Sequence, residues 1–190
     1  MDKVAVFIDG AYLEKMVGPM MGDPAFRLDF RKMSDLLAAG QERLRTYFYN
    51  CPPYVGASPT QDELDRSTKA HLFYDLLNRF PRFQVRLGQL ALRGTRADGT
   101  PIFQQKRVDA LLCVDLVQLA LTRQISKAVL LAGDSDFMPA VEVAKQHGVL
   151  VELWHGPVTT VHRELWRACE DRIECTRELL NQVRFTPVRT

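Results

Sequence analysis

The stretch Ala128-Val129-Leu130-Leu131-Ala132-Gly133-Asp134-Ser135-Asp136-Phe137 decides how this chain is read. Five apolar residues in a row, ended by glycine, predict a strand covered on both faces. Gly133 leaves that strand without a side chain, so a ligand can come close to the backbone. Asp134 then falls at the strand's end. Asp136 sits two residues on, near the start of a helix predicted over 137–147. The arrangement recurs at the other end of the chain, where Val4-Ala5-Val6-Phe7-Ile8 runs into Asp9-Gly10. Carboxylates at the carboxyl ends of parallel strands lie where open α/β sheets build their sites.

Working outward, further strands are predicted at 44–49, 83–87, 149–154 and 173–175. Helices are predicted at 29–39, from Thr60 or Asp62 to 79, and at 108–123, 162–168 and 177–183. A loop holding Gly18-Pro19 and Gly22-Asp23-Pro24 precedes the first of these helices. Asp98-Gly99 between 90–92 and 102–104 signals a small hairpin. Strands alternating with helices give right-handed βαβ units and a mainly parallel sheet, hence an α/β fold. In a doubly wound order the first and fourth strands are neighbours, and Asp9 and Asp134 face one crevice. No repeat or low-complexity linker divides the chain. We expect a single domain over 1–184 and a C-terminal tail over 185–190.

Composition narrows the class. The 190 residues, 46% hydrophobic and 25% charged, suit a globular protein with its own core. The net charge of +2 argues for no partner by itself. Its distribution says more: residues 79–107 carry seven basic side chains and one acid, which leaves the rest slightly acidic. The four cysteines form no C-x-x-C pair and no zinc-like spacing with histidine. With no signal-peptide pattern and no apolar run long enough to span a bilayer, the expectation is a cytoplasmic protein with reduced thiols and no membrane partner.

The acids carry the chemistry. Asp109 opens an otherwise apolar helix, just after Lys106-Arg107-Val108. Asp115 lies about 120° around that helix from Asp109. It either lines the same crevice, or is exposed, or pairs with an arginine. Asp134 and Asp136 also suit helix capping. Taken together, clustered carboxylates repel and raise one another's pKa, and Mg²⁺ or Mn²⁺ removes that penalty. Such an ion also lowers the pKa of bound water enough to make a nucleophile.

At this point the chain resembles a known family. Val4-Ala5-Val6-Phe7-Ile8-Asp9-Gly10-Ala11, then Lys106-Arg107-Val108-Asp109 with Asp115 six residues on, then Leu131-Ala132-Gly133-Asp134-Ser135-Asp136-Phe137 look like the NYN domain. More narrowly, they resemble the bacterial LabA-like branch of these PIN-like nucleases. Ala144-Lys145-Gln146-His147-Gly148 and Leu165-Trp166-Arg167-Ala168-Cys169-Glu170-Asp171 also fit, so the likeness covers nearly the whole chain. The resemblance implies a PIN-like, Rossmann-like three-layer fold and an Mg²⁺/Mn²⁺-dependent endoribonuclease. It implies a catalytic metal site of Asp9, Asp109, Asp134 and Asp136, with Asp115 as a subsidiary member. It implies that Ser135 hydrogen-bonds a phosphate or a ligand carboxylate. One position departs from the pattern: the family's asparagine three residues after the first aspartate is Tyr12 here. Tyr12 keeps a hydroxyl for substrate but places it elsewhere.

A nuclease must hold phosphates beside its acids. Arg93, Arg96, Lys106 and Arg107 are the expected contacts, the alternative being a solvated arginine-rich face. Tyr47, Tyr49 and Tyr54 either stack on RNA bases or anchor core and loop. Two other functions compete. One is an RNA-binding or regulatory module on the same fold with weak or no activity, which Tyr12 favours. The other is an aspartyl-nucleophile phosphatase, which Ala11 opposes because those enzymes carry a second acid at that position. RNA is the expected partner, and a homo-oligomer is compatible with the sequence.

Overall fold

The computed structural model describes residues 2–96, 98 and 101–187. Its centre is β1 (Lys3–Asp9), in which every residue from Val4 to Asp9 is buried. Ala5 and Phe7 point into one core, and Val4, Val6 and Ile8 into the other. A strand apolar on both faces needs helices on both sides, and the chain supplies them. On one face lie α1 (Gly10–Met21), α2 (Phe30–Ala38), α3 (Gln61–Asn78) and α7 (Arg177–Gln182). On the other lie α4 (Val108–Leu121), α5 (Met138–Gln146) and α6 (Arg163–Ala168).

The sheet is completed by β2 (Glu42–Asn50), β3 (Phe83–Leu87), β6 (Lys127–Leu131), β7 (Leu150–His155) and β8 (Asp171–Glu174). All pair in parallel, in the order β3-β2-β1-β6-β7-β8. Counted within the sheet this is 3-2-1-4-5-6, the doubly wound order, with β1 beside β6 at the switch point. The chain leaves β1 toward β2 and leaves β6 toward β7, so their exits diverge and open a crevice between them. The hairpin of β4 (Gln89–Thr95) and β5 (Pro101–Lys106) forms a separate two-stranded arm. The expected hairpin is thus present, although Ala97, Gly99 and Thr100 of its turn lie outside the described residues, as do 188–190 of the expected tail.

One element departs from the sequence reading. Gly18-Pro19 stands inside α1 and not in a loop. Proline there offers no N–H to the Lys15 carbonyl four residues back and its ring crowds that carbonyl, a cost the helix must offset. Tyr12, Leu13 and Met16 bury one face of α1, and that burial overrides the local breaker signal. The helix ends instead at Gly22, left-handed at φ 63°. The predicted cap of α3 is present as a reciprocal pair: Glu63 N–H donates to the Thr60 hydroxyl, and the Thr60 N–H donates to the Glu63 carboxylate. Among the described residues no helix is long and apolar enough to cross a membrane.

Candidate active site

Four aspartates reach the crevice from three separate elements. Asp9 ends β1 and caps α1, its Oδ1 accepting the Tyr12 N–H at 3.1 Å. Asp134 follows β6 and caps a single 3-10 turn over Ser135–Phe137, its Oδ1 accepting the Asp136 N–H at 3.1 Å. Asp136 is inside that turn. Asp109 is in the first turn of α4. The capping reading and the site reading therefore coexist, since a carboxylate that caps with one lone pair has others to offer.

The backbone before α4 turns sharply to bring Asp109 there. Arg107 is left-handed at φ 74°, an uncommon conformation for a side chain with a Cβ. It ends the arm and starts the helix in one step. Val108 is buried beneath, and Asp109 faces outward from the same turn.

Asp9 feels the charges of Asp109 and Asp134, and Asp109 those of Asp134 and Asp136. Burial pushes the Asp9 carboxyl up to about 6, and the charges of Asp109 and Asp134 push the same way against the Tyr12 N–H. Asp109 is also raised, by burial first and then by Asp134 and Asp136. Among the described residues none of the four acids is in an ion pair. Unrelieved repulsion between carboxylates is the condition that a divalent cation relieves. The all-oxygen donors suit a hard ion of the Mg²⁺ or Mn²⁺ kind. Among the described residues no three His, Cys, Asp or Glu side chains are gathered closely enough to hold an ion.

Ser135, Asp109 and Asp136 line a common open cleft, and Glu164 of α6 lines it with them. Glu164 was not singled out from the sequence. It precedes the Leu165-Trp166 run and looks locally like an ordinary acid in the first turn of a helix.

Two expected members are placed elsewhere. Asp115 does not join the acids. Arg86 Nε and Nη2 both donate to it at 3.0 Å, and the Tyr49 hydroxyl donates at 2.9 Å. It is a buried strut between α4, β2 and β3, the arginine-paired alternative. Tyr12 does not face substrate either. Its hydroxyl accepts the Gly156 N–H at 2.9 Å and lies 3.0 Å from the Thr160 hydroxyl. Its ring packs against Gly133, where an added Cβ would come within 2.2 Å of it. Gly133 is thus small because Tyr12 fills the space. Tyr12 bolts α1 to the loop after β7.

The basic candidates sit on the arm or at its exit. Arg93 is in β4, Arg96 just beyond it, Lys106 at the end of β5, and all four, with Arg107, are exposed. Arg93 Nε donates to Gln104 Oε1 across the hairpin at 2.5 Å. Of the tyrosines, Tyr47 and Tyr49 are buried in the core, which removes them as stacking platforms. Tyr54 packs on Phe103 of the arm, ring centroids 5.2 Å apart.

A parallel 3-2-1-4-5-6 sheet flanked by helices on both faces is a doubly wound α/β fold, consistent with the PIN-like class. The chain belongs to the NYN domain family, whose model matches residues 3–176. It is similar to the uncharacterized protein y4oD of Sinorhizobium fredii, 50% identical over 50 residues. That match covers 26% of this chain and only 23% of y4oD. The crystal structure of VPA0982, a protein of unknown function from Vibrio parahaemolyticus, superposes with a TM-score of 0.60. It covers 97% of this chain and 96% of its own at 16% identity, a likeness of fold alone.

Proposed function

We propose that this protein is an Mg²⁺- or Mn²⁺-dependent endoribonuclease, a single NYN domain over 1–184 of the LabA-like branch, acting in the cytoplasm. Family membership supports the nuclease class. The observation that carries the metal site is geometric: Asp9 at the end of β1, Asp134 and Asp136 just after β6, and Asp109 in the first turn of α4, with the burial of Asp9 and the charges of Asp109 and Asp134 raising its carboxyl. Asp9, Asp109, Asp134 and Asp136 would hold the ion, and a bound divalent cation there supplies charge neutralisation and an acidified water. The chain's own residues do the remainder. Ser135, beside Asp109 and Asp136 in the cleft, offers a hydroxyl to a non-bridging phosphate oxygen. Arg93, Arg96, Lys106 and Arg107 neutralise flanking phosphates, fixing register along the strand without reading sequence.

The test is cleavage of mixed structured and single-stranded RNA in Mn²⁺, in Mg²⁺ and in EDTA, with Asp134→Asn alongside. Metal-dependent cutting that vanishes in the variant supports the reading. One observation favours a second reading, an RNA-binding module: Tyr12 spends its hydroxyl on Gly156 and Thr160. RNA bound in EDTA and never cut in either metal would decide for that module.

A further inference from the structure

On the α1 face of the sheet, starting about one turn along α1 from Asp9, lies a cavity of about 390 Å³. Its walls are mostly apolar and include Phe30, Phe48 and Phe73, from α2, β2 and α3. Phe30 stands edge-on to both of the other rings, with centroids 5.4 and 5.5 Å apart. The loop 23–28 closes one side. The carboxyl end of the chain clamps that loop: Arg184 Nη2 meets Asp23 Oδ2 at 2.7 Å, and the Phe185 N–H donates to the Arg27 carbonyl at 2.8 Å. Arg27 itself bonds the Pro24 and Phe26 carbonyls. Asp23 and Arg27 are therefore occupied in holding the wall. Glu14, exposed on α1, supplies the rim with a carboxylate.

That carboxylate is held by a buried neighbour. Asn50 Nδ2 donates to Glu14 Oε1 at 3.2 Å. Asn50 is 7% exposed and ends β2, one residue past Tyr49, which pairs with Asp9 in the sheet. Its amide lies so close to Gly10 that an added Cβ there would come within 2.8 Å. Gly10 directly follows Asp9. Glu14 is thus one side-chain contact and one residue from the acid cluster, about 7.5 Å along α1 from Asp9.

We propose that this cavity receives one unpaired guanine base of the RNA, next to the phosphate held at the acids. The proposal rests on the nuclease reading for its substrate. Its volume, aromatic walls and single oriented polar rim are those of a ligand pocket. Single-stranded RNA is recognised by splayed bases stacked on aromatic side chains and hydrogen-bonded along their edges. A carboxylate only accepts hydrogen bonds, and guanine carries two adjacent donors, N1–H and N2–H, on its Watson–Crick edge. Adenine, cytosine and uracil do not present such a pair. Phosphates would run along the arm and the acids while this pocket chooses the base.

Two measurements test it. Guanosine, adenosine, cytidine and uridine are titrated in EDTA and followed by NMR, in wild type, Glu14→Gln and the pocket-filling Val17→Phe. Nucleosides lack a phosphate, so the arm and acids do not contribute. Guanosine should shift resonances of Val17 and Leu28, with other nucleosides about tenfold weaker or more. Glu14→Gln should lose that preference, and Val17→Phe should lose binding. Glu14 is exposed, so its variant keeps the fold even where Val17→Phe does not. No guanosine binding, or binding unchanged in Glu14→Gln, overturns the pocket. Cut sites in a random single-stranded RNA should cluster beside guanine in wild type and scatter in Glu14→Gln. Cutting without that bias overturns it equally. RNA that is never cut refutes the nuclease reading, and the nucleoside titration then decides the pocket by itself.

Discussion

Asp9→Asn should make the protein more stable while abolishing cleavage. Asp9 is 9% exposed, and its carboxyl sits at about 6 where an ordinary one sits at 3.8. That difference corresponds to about 3 kcal/mol of desolvation and repulsion borne by the ionised form at neutral pH. Asparagine carries no charge, and it caps a helix about as well as aspartate, so the bond from the Tyr12 N–H survives. Because the folded value lies above the unfolded one, the folded state holds the proton more tightly. The stability linked to it is complete below pH 3.8 and is lost as pH rises through about 6. Urea unfolding at pH 4.5, 6 and 7.5 in EDTA measures this. Wild type should weaken relative to Asp9→Asn across that window, with the variant ahead by up to about 3 kcal/mol at pH 7.5. Added Mg²⁺ or Mn²⁺ should narrow the gap, because an ion at one hundred times its dissociation constant stabilises by about 2.7 kcal/mol. A variant no more stable than wild type at pH 7.5 in EDTA would refute the strained-acid argument and its support for the ion.

Other substitutions separate the site from its supports. Asp115→Ala should cost about 3–5 kcal/mol by stranding Arg86 and the Tyr49 hydroxyl, with cutting by the folded protein retained; thermal melts and cleavage assays read the two effects apart. Tyr12→Phe should cost about 1–3 kcal/mol in urea unfolding, because the buried Gly156 N–H loses its acceptor. Arg93→Ala with Arg96→Ala should weaken RNA binding and flatten its dependence on salt by about one to two in logarithmic slope; an unchanged slope rejects the arm as a phosphate contact.

Much of the fold was legible because its signals are local. The apolar runs of β1 and β6 declare strands covered on both faces, and the alternation of strand and helix predicts the parallel order found. The strand ends Asp9 and Asp134 could be placed from the same runs, since a strand's direction fixes which end its last residue occupies. Asp109 needed the helix start at Val108, which the apolar run after it also marks.

What the sequence could not decide depends on distant partners. Asp115 and Asp109 differ little as letters on one helix. Yet Arg86, 29 residues away along the chain, takes Asp115 into the core face while Asp109 stays at the crevice. Tyr12 reads as a substitution in a motif, but Gly156, 144 residues on, engages its hydroxyl. Glu14 and Asn50 carry no motif and meet only because β2 lies against β1. Periodicity and strand ends follow from residues close in sequence, so the sequence alone determined the sheet and the row of acids. Charge pairing, burial and pocket walls arise where separate segments pack, so only the tertiary structure decided which acids are available for chemistry.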